Sequence, residues 1–242
     1  MPAWLNVLAY VFVIASIISA AIIVLDIAMG RRQKMAIMNL VWPITALYFG
    51  PIGLWAYWTM GRMKAQGSGG EHASHEQEHQ HQHGHGSGNA GGKDPSWREV
   101  FKATSHCGAG CTLGDMIGET ALFLLGVTLF GSKLETAYLV DFVLAYAFGI
   151  VFQFFTIAPM RGLGFWAGLK AAAKADTISL VAFEVGMFAF MALNRLVFFP
   201  SSPPEPNSVT YWFLMQIAMI VGFATSYPAN WWLLKAGLKE SM

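Results

Sequence analysis

Six apolar stretches constrain this chain more than any other feature: Trp4–Met29, Met38–Met60, Cys111–Phe130, Leu134–Ala158, Ile178–Phe199 and Val209–Leu234. A helix needs about 20 apolar residues to cross the roughly 30 Å hydrocarbon layer of a bilayer. Lipid offers backbone groups no hydrogen bonds, so such runs cross as helices. The expected fold class is therefore all-α, a polytopic transmembrane helix bundle of about six spans. Only 12% of the residues are charged, about half the usual share for a soluble domain. A net charge of +1 and the lack of a basic patch argue against a nucleic-acid partner. Met1-Pro2-Ala3-Trp4 lacks the positive stretch that opens a cleaved signal peptide, so the first run is expected to stay as a helix.

Three regions follow. Residues 1–60 hold two apolar segments, the second broken by Pro43 and Gly50-Pro51 and therefore kinked or re-entrant. Residues 61–95 hold six histidines between His72 and His85 in a Gly-, Ser- and Gln-rich stretch, which is expected to be a disordered loop. Residues 96–242 form the main membrane domain, opened by a capping box at Ser96–Glu99 and a short amphipathic helix to His106. Gly164 to Asp176 reads as an interfacial helix, with Asp176-Thr177 as the N-cap of the next span. With six spans, the lysines and arginines divide ten against five, with both termini and the histidine loop on the cytoplasmic side of the inner membrane. If the Pro-broken segment dips and returns, the division becomes thirteen against two and the N-terminus moves outside. The 23 apolar residues of that segment favour a full crossing.

The chain has two cysteines, both in His106-Cys107-Gly108-Ala109-Gly110-Cys111-Thr112-Leu113-Gly114-Asp115. Cys107, Cys111, Asp115 and Glu119 recur every four residues, which places them on one stripe of a helix. Gly108 and Gly110 also allow Cys107 to sit on a turn before that helix, closing a site with His106. Ionisable residues inside spans are a functional hypothesis by default; here they are Asp115, Glu119, Asp141 and Glu184. Counted at 1.5 Å per residue from the cytoplasmic face, Cys111 lies at the mouth, Asp115 about 6 Å in, Glu184 about 9 Å and Glu119 about 12 Å. Met187, Met191, Met215 and Met219 lie deeper, at about 13 to 25 Å. Thioethers and thiolates are soft donors that suit Cu(I) better than Zn(II). Gly118, Gly149 and Gly186 would permit close packing between copies as a homo-oligomer.

Several motifs carry resemblances. Met187-x-x-x-Met191 and Met215-x-x-x-Met219 resemble the methionine helix of the trimeric copper importers. Cys107-x-x-x-Cys111 resembles the copper-binding pair of the cytochrome oxidase assembly factors, and the histidine tract resembles the loops of zinc transporters. The motif from His106 to Asp115 is longer, and it is joined by Ala158-Pro159-Met160-Arg161, Ala175-Asp176-Thr177, Phe183–Met187, Met215–Met219, Tyr227–Trp232 and Val41–Tyr48. Together these resemble an uncharacterised family of bacterial multi-pass membrane proteins, of the domain-of-unknown-function type. Some relatives there carry a copper oxidase label through fused cupredoxin-type domains; no such domain is expected in this chain, so the label is not carried over.

The expectation is a membrane protein, not an enzyme, that binds and translocates a soft transition metal ion, copper before zinc. The ligand set is His106, Cys107, Cys111, Asp115, Glu119, Glu184, Met187, Met191, Met215 and Met219. The partners are the lipid bilayer, the ion and a copper-handling protein. No nucleotide-binding motif is present, so transport would run on gradients. Two other readings stay open: a thiol-disulfide oxidoreductase using Cys107 and Cys111, and a proton or cation channel through Asp115, Glu119, Asp141 and Glu184.

Overall fold

The computed structural model describes residues 2–33, 35–63, 94–129 and 131–240, and every regular element among them is helical. The histidine-rich stretch lies outside the described residues. The long helices are α1 (Ala3–Ala28), α4 (Trp97–Leu125), α5 (Lys133–Arg161), α6 (Phe165–Leu193) and α7 (Val209–Lys235). Between α1 and α4 stand the shorter α2 (Met38–Phe49) and α3 (Pro51–Ala56), and wider π-type turns at Tyr57–Gly61 and Asn194–Phe198 extend α3 and α6. Four helices, α1, α5, α6 with its extension, and α7, are long and apolar enough to cross a membrane.

The segment from Met38 to Met60 is not a sixth span, because the chain doubles back at Gly50. Gly50 adopts φ +59°, a conformation that costs glycine little, and Pro51 starts α3 where a missing N–H costs nothing. α3 then returns along α2. A Cβ on Gly53 would lie 2.8 Å from Ala46 Cα, and the rings of Trp42 and Tyr57 meet edge to face with centroids 5.8 Å apart. Gln33 Nε2 donates to Gly61 O at 2.5 Å, so the two ends of the hairpin lie together. Gly50, at its apex, sits against Ser16 and Phe12, halfway along α1. Asp26 locks the open end by accepting from Arg31, Arg62 and Tyr57 at 2.8 to 3.1 Å.

α4 is one continuous helix rather than an amphipathic piece followed by a span. Its start is the expected capping box, with Ser96 and Glu99 bonding each other's backbone N–H. It runs unbroken through Gly108 and Gly110, so Cys107 lies within the helix and not on a turn before it. It ends at Leu125, short of Phe130, with Gly126 in the left-handed conformation. α4 packs against α2, α5, α6 and α7, and its central residues from Ala103 to Thr112 are buried. That enclosure explains how it tolerates so many polar groups: its neighbours, not lipid, surround it.

Without a hydrophobic drive between helices in lipid, contact depends on close approach and interhelical hydrogen bonds. Gly110, Gly114 and Gly118 of α4 face Gly149, Ala145 and Asp141 of the antiparallel α5, and a Cβ on Gly110 would lie 2.7 Å from Gly149 Cα. Gly149 also takes Leu180, and Gly186 takes Gly222 and Thr225. The small residues expected to serve contacts between copies are thus used inside the chain. Gln216 donates to Leu47 O at 2.6 Å, holding α7 to the hairpin. α6 begins at Phe165, so Gly164 to Asp176 is the first part of a long helix and not a separate interfacial one. Asp176 consequently sits mid-helix, fully buried, rather than at an N-cap.

Candidate functional site

Cys111 is the central residue of α4, fourteen positions from Trp97 and fourteen from Leu125. It therefore lies about 21 Å from either end of the helix, at its middle. Cys107 and Cys111 are both free thiols with no exposed surface. Around them the structure gathers side chains from four elements. Met187 of α6 and Met215 and Met219 of α7 share one buried cluster with both cysteines, and half-buried Met191 packs at its edge. Tyr48, two residues before the hairpin apex, belongs to the same cluster. Its hydroxyl would lie 3.1 Å from a Cβ on Gly108, between the two cysteine positions. Gly108 thus gives room for the tyrosine.

The acids continue from the thiols. Glu184 interacts with Cys111, and Asp115 lies within electrostatic reach of Glu184, Asp141 and Glu119. Glu119 stands next to Asp141 and Tyr211, with Arg195 within electrostatic reach. Asp115, Asp141 and Glu184 are at most 2% exposed. Both oxygens of Asp115, both of Glu184 and Oδ1 of Asp141 have no hydrogen-bond partner among the described residues. Buried polar atoms are rarely left so. Carboxyl groups this close, in a low-dielectric interior, require bound protons or a bound cation to balance them. At the far end Glu119 and Met191 line a cavity of about 230 Å³ with Tyr138, Arg195, Glu205 and Tyr211.

On the other side of the thiols the row runs toward the Trp97 end of α4. Ser179 Oγ is 2.9 Å from Cys107 Sγ and 3.0 Å from Asp176 Oδ1. Lys239, from the tail after α7, reaches Asp176 Oδ1 at 2.5 Å. A nearly unbroken line of ionisable and sulfur-bearing groups thus follows α4 from Lys239 to the cavity.

His106 does not join the thiol pair. Its Nε2 pairs with Thr156 of α5 at 3.0 Å, and its ring meets Phe152. Successive helical positions diverge by about 100°, so a continuous α4 turns His106 toward α5 while Cys107 faces α6. Among the described residues no three His, Cys, Asp or Glu side chains come together closely enough to hold one metal ion. Any soft-metal site here would take thioethers as well as thiolates, and the methionine pairs of α6 and α7 lie in or against the cluster that holds both cysteines. Ser179, Asp176, Asn230, Lys239 and Tyr48 were not among the candidates. Of these, Tyr48, Asp176 and Asn230 lay within the motifs that carry the family resemblance, while Ser179 and Lys239 carried no signal.

Fold and site together define a helical protein with four helices long and apolar enough to cross a membrane, built around one polar interior helix. The chain belongs to the family described as a domain of unknown function, DUF4396, whose model matches residues 96–239. The match takes in α4 to α7 together with Lys239, and leaves out α1 and the hairpin. No curated protein and no solved structure matches the chain.

Proposed function

We propose that this chain is an inner-membrane carrier of a soft monovalent metal ion, Cu(I) by its donor set, moved along the interior face of α4. The observation that carries the reading is the meeting of Cys107, Cys111, Met187, Met215 and Met219 in one buried cluster, beside the buried carboxyls of Glu184, which interacts with Cys111, and of Asp115, whose oxygens have no hydrogen-bond partner among the described residues. Two thiols and three thioethers are a soft donor set. The acids supply the negative charge that a desolvated cation needs, or exchange protons with it. With no nucleotide-binding motif, the carrier runs on ion gradients. An additional copper-handling protein would deliver or receive the ion.

The topology that goes with this reading has five crossings, α1 and α4 to α7, and one re-entrant hairpin. Thirteen of the fifteen lysines and arginines then fall on the side of Arg31, Arg62 and Trp97, leaving Lys133 and Arg195 opposite. That asymmetry places the first side, with the histidine-rich stretch, in the cytoplasm and the N-terminus outside.

A second reading, a proton or alkali-cation path with incidental thiols, draws on the carboxyl row from Glu184 to Glu119. A thiol oxidoreductase is favoured less, because both sulfurs are fully buried and a substrate disulfide has no approach to them. The deciding experiment is Cu(I) binding and liposome uptake by wild type, by Cys107→Ser with Cys111→Ser, and by Met187→Leu with Met215→Leu. The carrier reading expects both double variants to lose at least tenfold in Cu(I) affinity. Undiminished Cu(I) binding in both overturns it, and proton flux that persists in the cysteine variant supports the second reading.

A further inference from the structure

The C-terminal tail places a lysine where a cation site would be. After α7 ends at Lys235, Gly237 adopts φ +66°, and the Leu238 and Lys239 N–H groups donate back to Leu233 O at 3.0 and 3.2 Å. This turn sends Lys239 into the bundle, where its side chain has no exposed surface. An ammonium has three protons to donate. Lys239 Nζ finds three oxygens: Asp176 Oδ1 at 2.5 Å, Asn230 Oδ1 at 2.7 Å and Ala103 O at 3.4 Å. They come from three different helices, α6, α7 and α4. Asn230 is itself fixed, since its amide nitrogen donates to Ser226 O and Ser226 Oγ at 3.0 and 2.9 Å, which turns its oxygen toward the lysine.

We propose that Asp176, Asn230 and the Ala103 carbonyl form a site for a small monovalent cation, which the chain's own Lys239 fills as a removable plug. Three observations separate this from a plain structural ion pair. Asp176 Oδ2 is buried and has no hydrogen-bond partner among the described residues, so the site holds an acceptor that the ammonium does not use. The remaining side-chain tie of the tail, Arg161 to Glu240 at 2.6 Å, joins two partly exposed groups, and such pairs hold weakly. Asp176 also connects through Ser179 to Cys107, so the plug stands at the end of the polar row. A lysine buried so completely is kept by its partners alone. A free cation of like charge can compete for them. The site rests on its own contacts, whether the row beyond it carries copper or protons.

Amine acylation of the full-length wild-type protein in detergent tests the plug without any variant that has to fold. Exposed Lys235 serves as the internal reference, and peptide mass analysis reads both lysines. Lys239 is expected to be protected in tetramethylammonium chloride, whose cation is too large for the site and has no N–H to acylate, and to become at least fivefold more reactive when that salt is replaced at equal ionic strength by potassium chloride or by rubidium chloride. A second measurement follows the melting temperature of Lys239→Ala. Propylammonium should raise it saturably by several degrees, with no such rise in wild type or in Lys239→Ala with Asp176→Asn. Lys239 protection that no small cation relieves, together with a Lys239→Ala protein indifferent to propylammonium and potassium, would reduce the pair to a static brace and overturn the proposal.

Discussion

Asp26 and Glu184 are both acids buried in this helical protein, and they are treated in opposite ways. Asp26 accepts hydrogen bonds from two arginines and a tyrosine, which use both of its oxygens. Glu184, like Asp115, has no hydrogen-bond partner for either oxygen among the described residues. Asp176 stands between them, with Oδ1 bonded to Lys239 and Oδ2 without a partner. The contrast separates two uses of a carboxyl group. One joins elements that would otherwise drift apart, as Asp26 ties the end of α1 to both ends of the hairpin. The other keeps bonding capacity in reserve, at a cost in stability that a structural acid would not carry.

Breaking each kind of acid should give a different signature. The largest effect is expected at the Lys239–Asp176 pair. Lys239→Ala leaves a buried carboxylate without its counter-charge and should lose roughly 3–5 kcal/mol, read by thermal or denaturant unfolding in micelles. Lys239→Met with Asp176→Leu should recover most of that loss, because a buried pair replaced by apolar groups is often neutral. Next comes Asp26→Ala. Arg31 and Arg62 are 30% and 41% exposed and can turn to solvent, so the loss should be about 1–3 kcal/mol, with faster proteolysis between Arg31 and Arg62. The smallest stability change belongs to Glu184→Gln, within about 1 kcal/mol of wild type, while cation binding falls at least tenfold. A Glu184→Gln protein as damaged as Asp26→Ala, yet still binding the cation normally, would erase the distinction.

The intramembrane acids and the methionine pairs were legible in the sequence because a charge or a four-residue repeat inside an apolar run stands out locally. The hairpin was half legible. Pro43 and Gly50-Pro51 marked a break, but 23 apolar residues outweighed them in the count of spans. What decided it was contact between positions such as Gln33 and Gly61, which no local pattern records. The glycines of α4 misled for a related reason. Gly110 weakens an isolated helix, yet against Gly149 it permits an approach that a larger residue would block. Asp176 looked like a cap because it stands just before the apolar run that starts at Ile178. Its partner Lys239 lies 63 positions away on a tail with no apolar pattern, so only the folded chain brings them together.

The enclosure of α4 also bears on how the protein is made. α4 is absent from the helices apolar enough to cross by composition, and a nascent segment this polar partitions poorly into lipid while it is alone. Its stable insertion would have to wait until α5 emerges and offers Gly149 and Ala145 as a matching surface. Biogenesis of the domain would then proceed by helical pairs, and a ribosome stalled just after Leu125 should hold α4 outside the bilayer, where one stalled after Arg161 should not.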